Sequence, residues 1–211
     1  MKTSENFRVI PKPEWISYEE ITDVLHDAHQ STKEGGMDFN AATQTSEKTI
    51  KRLGDHGRFY VALTDDNSVA AVGAISFSRL KREWYGKKNM MAGHIKMVGV
   101  RSAYKRRGLN NRLYEKLEKY GFSHADILVM NTACENHIVL DSNERHGWKY
   151  VDCKSFPSTN YYSYVMAKWK DRCPHSDLKI KTIFLVRKAL VHAVRKENGN
   201  YRLPFSLFKK N

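Results

Sequence analysis

The chain has 211 residues and carries 36 Lys and Arg against 23 Asp and Glu, a formal net charge of +13. That length suits one domain with an appendage, and 41% hydrophobic residues supply a core that a disordered chain lacks. No run approaches the roughly 20 apolar residues of a membrane-spanning helix, the N-terminus shows no apolar leader segment, and Cys134, Cys153 and Cys173 form neither a CxxC pair nor a disulfide framework.

These features point to a cytosolic protein with reduced thiols and no metal centre. Residues 7–10 suit a short strand, stopped by Pro11 and Pro13. Residues 15–33 place Ile16, Ile21, Val24, Leu25 and Ala28 at helical spacing, ended by Gly35 and Gly36. A second short helix covers 46–53. Residues 58–64 read as a strand, Asp65, Asp66 and Asn67 as a turn, and 68–77 as the returning strand of a hairpin. A basic loop, 78–91, leads to a strand at 94–100. From Gly108 to Gly121 the pattern is helical, with Leu109, Leu113, Leu117 and Tyr120 on one face. A buried-type strand at 126–131, a helix at 136–146 and strands at 148–154 and 161–170 complete the series. The result is an α/β fold: a mixed sheet of six to seven strands flanked by about four helices, parallel across its central crossover.

The charge is clustered. Residues 171–211 hold ten Lys/Arg against three Asp/Glu, which is +7 of the +13. In the loop, Arg79, Lys81, Arg82, Lys87 and Lys88 face only Glu83, and Lys105, Arg106 and Arg107 are consecutive. Clustering favours discrete anionic partners over a uniform field. No helix-turn-helix, RNP or zinc motif is present, so nucleic acid is not an expected partner.

The turn at 105–111 joins a buried strand to a helix. Such a turn presents backbone N–H groups where the helix dipole also favours an anion. Gly108 permits close approach, and the basic triplet adds charge-assisted contacts. By spacing alone the same residues also suit a solvated basic turn. The segment resembles the acetyl-CoA motif of the Gcn5-related N-acetyltransferase (GNAT) superfamily, Q/R-x-x-G-x-G/A. Lys105 takes the Q/R place, Gly108 the first glycine and Asn110 the small second position. The resemblance implies that amides of Arg106, Arg107, Gly108, Leu109, Asn110 and Asn111 hold the pyrophosphate of acetyl-CoA. Asn110 is compatible because asparagine tolerates left-handed backbone angles.

A second stretch, 136–148, keeps Asn136, Gly147 and the aromatic Trp148 of the family pattern N-x-x-A-x-x-L-Y-x-x-x-G-F. Asn136 suits both a helix N-cap and cofactor contact. With the matching element order, the resemblance implies a GNAT domain over 1–170 and a basic extension over 171–211. In the family the central strand splays from its neighbour and the pantetheine arm fills the gap. That implies backbone pairing with Met97, Val98 and Val100, which satisfies an otherwise open strand edge.

Amine acetylation needs a base, an N–H donor for the thioester carbonyl and, for the thiolate, an acid. The family's usual acid is the tyrosine of the second motif, where this chain has Asn143. A thiolate whose parent pKa is about 8.5 can leave unassisted or through water. Tyr104, Tyr162 and Tyr164 are alternative donors. His94 stands eleven residues before Lys105, the offset at which histone-acetylating members carry a catalytic Glu. A histidine titrating near about 6.5 suits that role, and it equally suits a structural place at a strand start. Lys96 shares the face of His94. Cys134 reads as a structural thiol, with a nucleophilic role as the sharper alternative. Asp38 and Asn40 lie on the linker that borders the acceptor site in the family.

Residues 178–196 project Ile180, Ile183, Phe184, Val186, Leu190, Val191 and Val194 onto one face. Lys181, Lys188, His192, Arg195 and Lys196 gather opposite. Such a helix suits docking on the domain, a homodimer contact, or peripheral binding to anionic lipid. Phe205, Leu207 and Phe208 lie beside further positive charge. The expectation is a cytoplasmic, acetyl-CoA-dependent N-acetyltransferase acting directly on an amine. With the basic loop lining the acceptor site, that amine is anionic, such as an amino-sugar intermediate of polysaccharide assembly. The departure at Asn143 supports a second reading, a non-catalytic acyl-CoA-binding module that docks through its tail.

Overall fold

A computed structural model describes residues 6–80, 84–86, 89–156 and 159–193. Seven strands form one sheet: β1 (Arg8–Pro11), β2 (Arg58–Leu63), β3 (Val69–Arg79), β4 (Met91–Val100), β5 (Ile127–Ala133), β6 (Lys149–Ser155) and β7 (Tyr162–Trp169). Their order is β1-β2-β3-β4-β5-β7-β6. Five α-helices accompany it: α1 (Tyr18–Glu34), α2 (Ser46–Leu53), α3 (Leu109–Phe122), α4 (His137–Arg145) and α5 (Asp177–Ala193). The predicted mixed architecture is observed, with β4 and β5 parallel across the α3 crossover.

Two boundaries move for identifiable reasons. The first helix begins at Tyr18, not at 15, because Ser17 caps it by accepting from the Glu20 amide at 3.1 Å. Ile16, just outside the cap, packs in the same cluster as Ile21 of the first turn, as a hydrophobic staple does. It therefore mimics helical periodicity without being helical. The hairpin of β3 and β4 runs on to Arg79 opposite Met91, so the strand expected at 94–100 starts three residues earlier.

Alternation along β4 separates its side chains. Ile95 joins Leu113, Leu117 and Leu128 on the face covered by α3. Lys96 turns to the other face and donates to the Arg52 carbonyl at the end of α2. Gly99 lets α1 sit close, since a Cβ there would lie 2.8 Å from the Ala28 methyl. At Met97 the regular alternation breaks. Its φ is 51°, and Ala74 opposes Lys96 while Val72 opposes Gly99, which marks a bulge. Left-handed angles cost a non-glycine residue about 1–2 kcal/mol, offset here by burial of the Met97 side chain among Leu25, Val72 and Ala74.

The bulge coincides with a parting of strands. β4 pairs with β3 from Met91 to Val100, but with β5 only from Ala92 to Ile95. Beyond the Ile95–Met130 rung the two parallel strands separate, as the resemblance implies.

The tail helix differs from its projection. Ile180 is buried and Phe184 packs on Tyr150 and Tyr164, but Leu178, Leu185, Val186 and Leu190 are exposed. Val186 and Leu190 therefore leave the apolar docked face expected for them, and Lys188 leaves the outer basic face for the Tyr164 ring, 5.3 Å away. The cause is electrostatic. Asp152 of β6 is fully buried, and Arg187 meets both of its carboxylate oxygens at 2.9 and 3.0 Å. A buried carboxylate requires such a partner, and satisfying it sets the rotation of α5. Val194, Arg195, Lys196, Phe205, Leu207 and Phe208 lie outside the described residues, as does the His192 side chain.

Candidate active site

The turn before α3 has the backbone of an anion site. Arg106 and Gly108 take φ values of 65° and 73°. Asn110, whose tolerance of left-handed angles made it compatible with the motif, lies inside α3 with helical geometry. The reason is local: Gly108 is the N-cap and absorbs the unusual conformation one residue before the helix begins. α1, α2 and α4 are capped by the side chains of Ser17, Thr45 and Asn136. α3 has no side-chain cap, so no side chain uses the amides of Leu109, Asn110 and Asn111. Lys105, Arg106 and Arg107 are exposed around them, with the Arg107 guanidinium 5.4 Å over the Tyr104 ring. Phosphate oxygens fit such a concave turn of free donors.

Asn136 is the N-cap of α4, accepting from the Val139 amide at 3.4 Å. The backbones of Met97, Val98 and Val100 lie beyond the last β4–β5 rung, at the edge the resemblance assigns to pantetheine. The Val98 carbonyl meets His29 Nε2 at 3.1 Å. Burial drives the His29 pKa down to about 4, so its ring is neutral and donates to that carbonyl.

The other face of β4 is polar. His94 is half-buried, with Nε2 2.8 Å from Ser78 Oγ. Lys96 binds the Arg52 carbonyl, and the Arg52 guanidinium binds Gln44 Oε1. Gln44 is buried and donates to Thr49 Oγ1 at 2.7 Å. Burial lowers the pKa of both cations, and the Arg52 charge further lowers that of Lys96. Among the described residues no carboxylate forms an ion pair with either. Tyr161 completes this wall, its pKa pushed up to about 12 mainly by burial, opposed by the nearby Arg52.

The linker carrying Asp38 and Asn40 is tied across the site. The Asp38 amide donates to Asn160 Oδ1 at 2.9 Å, and Asn160 Nδ2 donates to the Gly36 carbonyl at 2.8 Å. Asn40 opens a short 3₁₀ turn, Asn40–Ala42, and accepts from Lys48 at 3.3 Å. Phe39 stacks on Tyr161 at 5.9 Å and lies 4.5 Å from the His29 ring.

Other candidates separate from this centre. Tyr104 packs on Phe7, and Tyr164 on Tyr150 and Phe184. Burial and the neighbouring Glu135 raise the Cys134 thiol to about 12, which disfavours a thiolate nucleophile. The basic loop was expected to line the acceptor site. Of its described residues, Ser78 Oγ lies 2.8 Å from His94 Nε2, the Tyr85 carbonyl accepts from Trp169 of β7 at 3.2 Å, and the Trp84 carbonyl meets His175 at 2.8 Å. Lys81, Arg82, Glu83, Lys87 and Lys88 lie outside the described residues. Arg52, Gln44, His29 and Tyr161 were not singled out from sequence. Only Lys96 carried a signal, its place two residues from His94.

Residues 18–148 match the family model described as Acetyltransferase (GNAT) family. This chain belongs to the GNAT family. Its fold is shared with solved GNAT-type structures. NAA60 of Arabidopsis thaliana in complex with a bisubstrate analogue aligns with a TM-score of 0.59 at 14% identity, covering 79% of this GNAT chain and 100% of that one. A GNAT family acetyltransferase from Streptococcus agalactiae 2603 gives a TM-score of 0.61 at 12% identity, covering 79% and 96%. The NAA60 of Arabidopsis thaliana in complex with acetyl-CoA gives 0.58 at 14% identity, covering 78% and 99%. Identities this low speak for the fold. No curated protein matches the sequence.

Proposed function

We propose that this GNAT protein is an acetyl-CoA-dependent N-acetyltransferase that transfers acetyl directly to an amine bearing an anionic group. The cofactor reading rests on the coincidence of two features: an α3 N-terminus without a side-chain cap, ringed by Lys105, Arg106 and Arg107, and the parting of β4 from β5 after Ile95. Lys105 to Asn111 would hold the pyrophosphate, and the backbone of Met97, Val98 and Val100 the pantetheine. Acetyl-CoA supplies the activated acyl group. His94 takes the proton from the acceptor ammonium, and a free amide on β4 polarises the thioester carbonyl.

One observation carries the anionic acceptor: Arg52 and Lys96, two partly buried cations with no carboxylate partner among the described residues, on the same side of β4 as His94. Two like charges in a half-buried wall repel, and a ligand carboxylate or phosphate relieves that repulsion. Amino sugars linked to a phosphate or a nucleotide meet this requirement. Screening amines for CoA release tests it. Phosphorylated or carboxylated amines are expected to lead, with Arg52→Gln raising their KM about tenfold or more and leaving CoA affinity unchanged. A preference for polyamines or peptides would refute it.

Buried Asn143 in the family's tyrosine position favours one other reading, a non-catalytic acyl-CoA-binding module. CoA affinity without turnover on the panel is its signature. No described helix is long and apolar enough to cross a membrane. Exposed Leu178, Leu185, Val186 and Leu190, beside Lys179 and Lys181, support a cytoplasmic protein that touches anionic membrane surfaces. Sedimentation with phosphatidylserine vesicles is expected, and an equal response from Leu185→Glu/Leu190→Glu would remove it. Dimers by ultracentrifugation would favour a second copy on that face.

A further inference from the structure

Where the family pattern has a tyrosine, α4 carries Asn143, and a phenol from α3 occupies the space beside it. Asn143 is 3% exposed, and its Nδ2 donates to Met130 Sδ at 3.0 Å and reaches Met166 Sδ at 4.0 Å. The hydroxyl of half-buried Tyr114 enters the same space beside Asn143 and donates to Met130 Sδ at 3.8 Å. Met130 faces Ile95 across the last rung before β4 and β5 part. The hydroxyl therefore stands at the apex of the cleft.

The acceptor of the hydroxyl is a thioether, which is a weak one, and another polar neighbour is the Asn143 side chain. Two donors, the Tyr114 O–H and the Asn143 amide, converge on one sulfur atom. Donors gathered around sulfur at the apex of the cleft assigned above to pantetheine are suited to a leaving thiolate.

We propose that Tyr114 donates a hydrogen bond to the sulfur of bound acetyl-CoA and stabilises the departing thiolate, in the place of the tyrosine absent at 143. The inference rests on the acetyl-CoA reading above. The amine nitrogen forms the new C–N bond, the C–S bond breaks, and its electron pair passes to sulfur. The thiolate departs held by the Tyr114 hydrogen bond, and the phenol keeps its proton. His94 takes the proton of the ammonium and releases it to water, and the second proton, shed by the tetrahedral nitrogen, reaches sulfur through water. Burial holds the Tyr114 pKa up at about 12, so the proton stays on oxygen throughout the neutral range.

Tyr114→Phe keeps the ring and removes only the donor. The full chain is loaded with CoA, and the bound thiol is titrated by thiolate absorbance. In the wild type the bound thiol should titrate about one unit below free CoA. The variant should lose that difference while binding CoA within about threefold of wild type. Its kcat should fall roughly tenfold to a hundredfold, with a smaller deficit for an acetyl thioester of a more acidic thiol. Adding Asn143→Tyr to Tyr114→Phe should restore the shift. A wild-type bound thiol that titrates like free CoA overturns the role of Tyr114, whatever the variant's folding, and leaves the acetyltransferase reading standing. A chain that binds no CoA overturns both.

Discussion

The two faces of β4 do different work with different materials. Toward α3 the chain offers backbone: amides at an α3 N-terminus lacking a side-chain cap, a left-handed Gly108, and a strand edge released by the bulge at Met97. Toward α1 and α2 it offers side chains: His94 and Lys96 of β4 itself, with Arg52, Gln44 and Tyr161 brought in from other segments. Backbone recognition suits a ligand that is the same for a whole family, because any sequence with the right turn can supply it. Side-chain recognition suits a ligand that differs among members. The difference teaches that cofactor and acceptor specificity can be changed independently on one strand.

His94→Gln should give the largest effect. A general base contributes roughly 10² to 10⁴ in rate, so kcat should fall by about that factor while the CoA dissociation constant, read by calorimetry, stays within about twofold. Joint loss of turnover and CoA affinity would show that the faces are coupled through β4. His29 spans them, reaching from α1 to the Val98 carbonyl. The folded pKa of His29 is about 4 against an ordinary 6.5, so the unfolded chain takes up the proton first. The stability contributed by neutral His29 is complete above pH 6.5 and lost as pH falls toward 4, a change of about 3 kcal/mol. Urea midpoints across that range should fall in the wild type and flatten in His29→Phe. Parallel slopes would mean that His29 does not carry the dependence. The smallest effect belongs to Gly108→Val. Nothing lies within 4 Å of a Cβ there, so the cost is backbone strain alone, roughly 1–3 kcal/mol. CoA affinity should weaken about tenfold to a hundredfold, and the acceptor KM should hold. A change in acceptor preference would break the separation of the faces.

The same contrast governs what could be read from residues alone. The cofactor turn is contiguous, and the order of Lys105, Gly108 and the following helix is visible in a dozen letters. The strands and helices around it follow from local periodicity. Even there, the left-handed position fell on Arg106 and Gly108, not on Asn110, because a one-residue shift of the cap leaves the same composition. The acceptor wall had no such legibility. Arg52, Gln44 and Tyr161 meet only after α2 crosses β4 and β7 returns beside β5, and no spacing records that encounter. Tyr114 was passed over for a related reason. Its role follows from the small residue opposite it on α4, a relation between two helices. The rotation of α5 was misjudged because amphipathic projection weighs apolar area, and here a single ion pair outranks it.

That ion pair ties the extension to the rest of the chain. Asp152 is buried on β6, and Arg187 lies on α5, within the basic extension read from sequence as an appendage. Remove α5 and the carboxylate loses its two-oxygen partner and keeps, among the described residues, only the Cys153 amide at 2.9 Å and Lys154 at 3.9 Å, at a penalty of up to several kcal/mol. Ile180 and Phe184 would also leave apolar partners in water. A protease that cuts in the stretch 170–176 and frees the helix would therefore lower the stability of the whole sheet. The positive charge that looked like an outward-facing signal serves, in part, as the internal counterion of the fold.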